Sequence, residues 1–368
     1  MSPHVHISLV NRYDIALIRR ELQTALDALG GLAVKNGDKV LLKPNLLAPR
    51  SPEKAVTTHP AVVQAVIELV LDCGGKPFIG DSPGVSASAG LWRETGMSEL
   101  AEKFDIELIN FNSQPLTEYE IRGNRYYLSR TALECDLMIN LPKLKTHALT
   151  LYTGAVKNMF GCLPGFQKGI WHRRAPKSDQ FSQVVVDIFS AFKPGINIMD
   201  GITAMEGEGP SNGKARDVGV LIASDDAPAL DAIASGIIGF KREEVFTTVF
   251  AQARGFSPGL DDTVLTGSNP QDIIIPDFRL PNNRFIRLIP KLAHDLLGKY
   301  IWSKPEIDRN ICSQCYECIS ACPAQAMSVN SGPPAIDYKK CIECYCCDEV
   351  CPEGAVKKKL SWLAKKLM

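Results

Sequence analysis

The 368-residue sequence predicts an α/β fold, a mostly parallel sheet covered by helices, followed by a small α+β cysteine-rich domain. Three observations carry that expectation. Short β-rich runs alternate with helix-period runs as far as residue 275. One run, "CDLMINLPK", is apolar nearly throughout, as expected for a strand buried on both faces. Nine of the 12 cysteines lie after residue 310.

The order of elements supports a parallel sheet. Strand "VHISLV" is followed by a helix from Asp14 to Gly30, strand "KVLLKPN", helix "HPAVVQAVIELVLDCGG", strand "KPFIGDSPG", helix "LWRETGMSELAEKF" and strand "IELINF". Strand, helix, strand at this spacing marks a sheet whose crossovers are helical. Segments "YEIRG" and "NRYYLS" read as an inserted β-hairpin turning at Gly123-Asn124. Beyond "CDLMINLPK" and a glycine-rich region come helix "FSQVVVDIFSAF", strands "INIMDGI" and "DVGVLIAS", and helix "APALDAIASGIIGF". This gives an α/β domain over 1–275. Residues 276–305 form a proline-containing connector with an amphipathic stretch, "RFIRLIPKLAHDLLGKYIW", that Pro290 interrupts. The cysteine domain covers 306–356 and a basic amphipathic tail 357–368.

Composition restricts the class of protein. Apolar residues make up 45% and charged residues 22%, as in a soluble globular chain. Lys+Arg and Asp+Glu are both 41, so net charge gives no case for nucleic acid, and any electrostatic argument is local. The N-terminus lacks the parts of a secretory signal, and no run approaches the roughly 18 apolar residues of a membrane span. The chain reads as cytoplasmic. In a reducing compartment, crowded cysteines indicate metal ligation rather than disulfides.

Those cysteines form two blocks, Cys312, Cys315, Cys318, Cys322 and Cys341, Cys344, Cys347, Cys351, each with the pattern C-x2-C-x2-C-x3-C-P. The pattern resembles the run found in bacterial two-cluster ferredoxins. Thiolates two residues apart wrap a loop round one face of an iron-sulfur cube, and the fourth cysteine reaches the other cube. The resemblance implies two [4Fe-4S] clusters, one on Cys312, Cys315, Cys318 and Cys351, the other on Cys341, Cys344, Cys347 and Cys322. Zinc ribbons, the competing reading, usually show two well-separated CxxC pairs. Cys346 falls outside the spacing and reads as a bystander or a redox-sensitive thiol.

A second feature is electrostatic. Between Asp136 and Asp179 there is no acidic residue, where about four or five are expected from composition. The interval holds Lys143, Lys145, Lys157, Lys168, Arg173, Arg174, Lys177, His147 and His172. Interleaved "GAVKNMFGCLPG" is apolar and glycine-rich, unlike a disordered basic arm. Lys143 and Lys145 follow a buried strand; other strand ends deliver Lys43 with Asn45, Asp81, and Asp200 ahead of Glu206. Carboxyl ends of strands line the ligand crevice of doubly wound sheets, so four such ends suggest one anion-binding crevice. Turn chemistry and ordinary surface charge are the competing account. Gly207 to Lys214 misses both the Walker A spacing and the dinucleotide fingerprint.

The segments "KPN", "GDSPG", "NLPKLKTH", "GAVKNMFG", "DGITAMEGEGP" and "SDDAPALDAIAS", in that order, resemble the family called domain of unknown function 362, which commonly carries a C-terminal ferredoxin domain. The resemblance marks Lys43, Asn45, Asp81, Lys143, Lys145, His147, Lys157, Asn158, Asp200 and Glu206 as site candidates without settling a substrate. The resulting expectation is a ferredoxin-linked oxidoreductase with a small anionic substrate or cofactor. In it Lys143, Lys145 and Lys157 hold the anion, His147 gives a proton, and Asp81, Asp200 and Glu206 act as acids or bind a divalent ion. The alternative is an electron carrier or docking subunit of a larger redox complex. Expected partners are a redox protein or small-molecule electron donor and no nucleic acid. The tail "KKKLSWLAKKLM", read as a helix, adds weak contact with a membrane surface.

Overall fold

The computed structural model describes residues 2–83, 90–192, 194–258, 260–287 and 300–366. The first strands are β1 (His4–Leu9), β2 (Lys39–Pro44), β3 (Lys76–Asp81) and β4 (Leu108–Asn110). A separate antiparallel hairpin follows, β5 (Leu116–Ile121) and β6 (Asn124–Ser129). Then come β7 (Leu137–Leu141), β8 (Lys143–His147), β9 (Leu151–Thr153), β10 (Ile196–Glu206), β11 (Lys214–Ser224) and β12 (Val264–Gly267).

The main sheet has the order β12-β1-β11-β10-β7-β2-β3-β4, with β8 on β10 and β9 on β8. Strands β10, β7, β2, β3 and β4 are parallel, as β12 is to β1. Only β11 on this path opposes its neighbours. A parallel return needs a crossover of a dozen or more residues, and 207–213 is too short for one. The mostly parallel α/β sheet read from the sequence is therefore present, with one reversed strand.

Strand alternation divides the core. Along β2, Val40 and Leu42 join one apolar layer and Leu41 the other. The first layer packs under helices Ile15–Ala28 and Pro60–Asp72, the second under Ser178–Ala191 and Ala227–Ile237. Helix starts follow local chemistry. Asp14 accepts from Leu17 N at 2.9 Å and Asp226 from Ala229 N at 2.7 Å, each occupying a backbone donor the helix leaves free.

The cysteine-rich region is built on two antiparallel pairs: β13 (Ser303–Ile307) with β16 (Val356–Leu360), and β14 (Met327–Ser328) with β15 (Ala335–Ile336). Residues 357–360, read above as the start of a helical tail, belong to β16, because pairing with β13 satisfies their backbone and Lys359 meets Glu306 across the ladder. The helix is confined to Trp362–Lys366. Residues 288–299, with Pro290 and most of the connector's amphipathic stretch, lie outside the described residues, as does Leu367. Among the described residues no helix is long and apolar enough to cross a membrane.

The two regions dock through main-chain acceptors. Ser211 Oγ donates to Glu349 O at 2.7 Å, Asn212 Nδ2 to Asp348 O at 2.8 Å, and an Arg50 guanidinium nitrogen to Cys351 O at 3.1 Å. Lys358 pairs with Glu208 beside them. Each neutral bond contributes about 1 kcal/mol, so the contact is small and cumulative. Replacing Ser211 and Asn212 together by alanine will speed amide hydrogen exchange over 346–351 and leave exchange in β2 and β7 unchanged.

Candidate functional site

The cysteine loops repeat one backbone shape. Gln314, Tyr316 and Gln325 have φ of 59, 62 and 50°, and their counterparts Glu343, Tyr345 and Gly354 have 57, 63 and 61°. Five non-glycine residues in the left-handed region carry strain, and its repetition at matched positions shows each loop bent round a common shape. Cys322, Cys341, Cys344 and Cys347 line one cavity with Met327 and Ile336. Cys318 lies within electrostatic reach of Cys312, Cys315 and Cys351. The fourth cysteine of each block thus joins the three of the other. Ala326 N donates to Cys322 Sγ and Ala355 N to Cys351 Sγ, both at 3.2 Å. Among the described residues no three His, Cys, Asp or Glu side chains converge as on a single metal ion. Two groups of four cysteines, one round a cavity and one gathered at Cys318, fit two [4Fe-4S] clusters.

A second cavity opens where the cysteine loops meet the sheet. Its floor is Lys43, Asn45, Asp81, Lys157, Asn158 and Gly161, with Leu46, Phe160, Lys168 and His172 on the walls. Ala321, Cys346, Glu349 and Val350 close it from the cysteine side. Three of those four residues are chain neighbours of the ligands Cys322, Cys347 and Cys351. Cys346, outside both ligand sets, lines both this cavity and the cluster cavity. Gly161 is required at the floor: a Cβ there would sit 2.3 Å from Asp81 Oδ1 and 2.5 Å from Lys43 Nζ.

The strand-end residues expected in one crevice are divided by the sheet. Lys43 shares the face of Leu41, and Asn140 that of Met138, both in the layer that includes Val156. Asp200 shares the face of Ile198, in the opposite layer, and Lys143 pairs with it in register. Lys143 Nζ lies 2.7 Å from Asp200 Oδ2 and 2.9 Å from Tyr13 OH. His59 N donates to the same carboxylate at 2.9 Å, and the His59 ring stacks on Tyr13 at 3.5 Å. Glu206 takes Arg279 N at 3.1 Å, away from the cavity. Lys145, also buried, donates to Val56 O at 2.5 Å. Lys143, Lys145, Asp200 and Glu206 thus stand outside the cavity, and Lys143 already has a counter-ion.

His147 is one layer back. Its Nδ1 accepts from Leu149 N at 2.9 Å and Thr150 N at 3.3 Å, so the ring proton sits on Nε2, which lies 3.3 Å from Glu349 Oε1. Burial lowers its pKa to about 3, so the ring is neutral and supports Glu349 from behind. Burial alone would raise the Glu349 carboxyl, but His147, His172 and Lys157 draw it down to about 2. Lys43, completely buried, pairs with Asp81 at 2.8 Å. The Lys157 ammonium forms no hydrogen bond or ion pair with another described residue. Burial lowers its pKa, and lowers that of Lys168 to about 8. Among the described residues Lys168 Nζ donates only to the carbonyls of Ser82 and Pro83.

Four titratable residues of the cavity lie outside the site candidates read from the sequence: Lys168, His172, Cys346 and Glu349. The first two stood in the acid-free interval, and their positions after "GAVKNMFG" were the available signal. Glu349 carries none, because a carboxylate between two cluster cysteines has no sequence link to a lysine nearly 200 positions earlier.

Fold and site define an iron-sulfur protein in which an α/β domain presents a lysine-lined cavity to a two-cluster domain. The chain belongs to the family described as Domain of unknown function (DUF362), whose model matches residues 40–236; a 4Fe-4S dicluster domain matches 304–352. It is 38% identical over 272 residues to a thylakoid-associated protein of Synechocystis sp., covering 73% of this chain and 85% of that one. Two solved structures align more distantly. The lactate racemase apoprotein from Thermoanaerobacterium thermosaccharolyticum gives a TM-score of 0.39 at 11% identity, over 60% of this chain and 53% of that one. A protein from Thermotoga maritima gives 0.35 at 13% identity, over 54% and 52%. The chain thus spans about half the length of each.

Removing one partner of a buried pair strands the other. Asp200→Ala will cost about 3–5 kcal/mol in denaturant unfolding, and Lys143→Met added to it will recover part of the loss. Burial lowers the pKa of His172 from 6.5 to about 4, so between those values the unfolded chain takes up a proton that the folded ring refuses. Stability from this group is present above 6.5 and is lost as pH falls toward 4. His172→Phe will reduce the acid-side slope of unfolding free energy by up to about 1.4 kcal/mol per pH unit.

Proposed function

We propose that this chain is an iron-sulfur oxidoreductase acting on a small anionic substrate or cofactor held in the cavity between its α/β and cluster domains. The two clusters, when bound, carry electrons one at a time. One observation supports the reading above the rest. An ammonium group with no partner among the described residues, on Lys157, lines a cavity whose opposite wall consists of residues adjoining cluster ligands. The fully buried lysines each have an acceptor, Asp81 for Lys43, Asp200 for Lys143 and the Val56 carbonyl for Lys145, whereas the Lys157 ammonium is left to the cavity.

In this reading Lys157 and Lys168 bind the anion, Asn45 and Asn158 shape the floor, and the Lys43–Asp81 pair holds the strand ends together. Lys145 adds positive potential from behind. The proton-exchanging group is His172, whose buried Nδ1 has no partner among the described residues; His147 positions Glu349. Lys143, Asp200 and Glu206 support the fold. The electron partner, a redox protein or small donor, approaches the exposed Cys315 side. Trp362, 69% exposed beside Lys365 and Lys366, provides a reversible membrane-surface contact, a reading favoured by the name of the Synechocystis relative.

Native mass spectrometry of anaerobically purified protein tests the proposal. Wild type is expected to carry a small anionic molecule, and Lys157→Gln with Lys168→Gln to lose it, while absorbance and roughly eight irons per chain persist. If the double variant matches wild type in ligand content and electron transfer, the protein is a carrier and the cavity is not its site.

A further inference from the structure

We infer that the cavity selects a small acid carrying a hydrogen-bond-donating hydroxyl or ammonium group beside its anionic head. The inference rests on the anion-site reading above and follows from the polarity of a row of asparagines crossing the sheet. Asn140 Nδ2 donates to Ala155 O at 3.0 Å. A carbonyl only accepts, so this contact fixes which way the Asn140 amide points. Its Oδ1 then accepts from Asn158 Nδ2 at 2.8 Å, and the same Asn158 amide donates to Lys43 O at 3.0 Å. Asn158 is held the same way round by two acceptors. Its Oδ1 accepts from Asn45 Nδ2 at 3.0 Å.

Polarity therefore runs to the end of the row. Asn45 turns its amide NH2 inward and keeps Oδ1, which is buried and without a partner among the described residues. Asn45 lines the cavity. An amide oxygen left in this state is costly, and a simple carboxylate cannot relieve it, because a carboxylate is itself only an acceptor. Glu349, on the facing wall, is a second acceptor. The cavity thus has two poles: Lys157 and Lys168 for an acid, Asn45 and Glu349 for a donor. An acid with a neighbouring hydroxyl or ammonium meets both.

Calorimetric titration of the anaerobic full-length protein with glycolate, glycine and acetate, and with glycerol phosphate against propyl phosphate, tests this. At least one donor-bearing acid is expected to bind about tenfold or more tightly than its donor-free partner. Asn45→Ala is expected to abolish that preference, with Asn45→Ser as the milder variant and cluster absorbance as the check on folding. Lys157→Gln is expected to weaken every acid alike. Equal affinities in wild type, still weakened by Lys157→Gln, overturn the inference and leave the anion site standing. Binding of no acid overturns both.

Discussion

Burying an ammonium ion is the constraint on which this architecture depends. Lys43, Lys143 and Lys145 all sit within the protein in or beside strands at the centre of the sheet. Each needs something to replace water, because a charge left alone in a low-dielectric interior neutralises or unfolds its surroundings. The strand ends answer this separately. Asp81 takes Lys43, Asp200 takes Lys143, and the Val56 carbonyl takes Lys145. Those partners tie β3, β10 and the segment before helix Pro60–Asp72 to the strands that carry the lysines. Lys157, only partly buried, is the exception: its ammonium makes no ion pair or hydrogen bond among the described residues and lines the cavity facing Glu349.

Much of this was legible in the chain. Two C-x2-C-x2-C-x3-C-P blocks state their chemistry by spacing alone, and the matched left-handed residues of the two loops are its conformational imprint. The parallel sheet was legible from the alternation of short apolar runs with helices. The acid-free interval pointed to the right part of the molecule, because a stretch with no local counter-charge has to find its partners far along the chain. What could not be read was which face each residue would occupy. A lysine at a strand end lies on one side of a sheet or the other by a single residue of register. Lys43 and Lys143 therefore look alike in sequence and lie on opposite faces. The tail failed for a related reason: "VKKKL" is compatible with a basic helix until β13 supplies a strand to pair with.

Glu349 shows a different limit. It enters the cavity from the cluster domain, is backed by His147 of the α/β domain, and faces Lys157 across the opening. None of these relations is local. The cavity exists only when both domains are in place, which accounts for a site built half from the ends of parallel strands and half from the loops of an electron-transfer module.

Three of the docking contacts have one property in common. Ser211, Asn212 and Arg50 each grasp a main-chain carbonyl of the segment from Asp348 to Cys351. What they recognise is largely the path of a backbone. Such a socket admits any cluster module that bends the same way, whatever side chains it displays elsewhere. Evolution can then adjust the module's surface and reduction potentials without renegotiating the joint that brings it to the cavity.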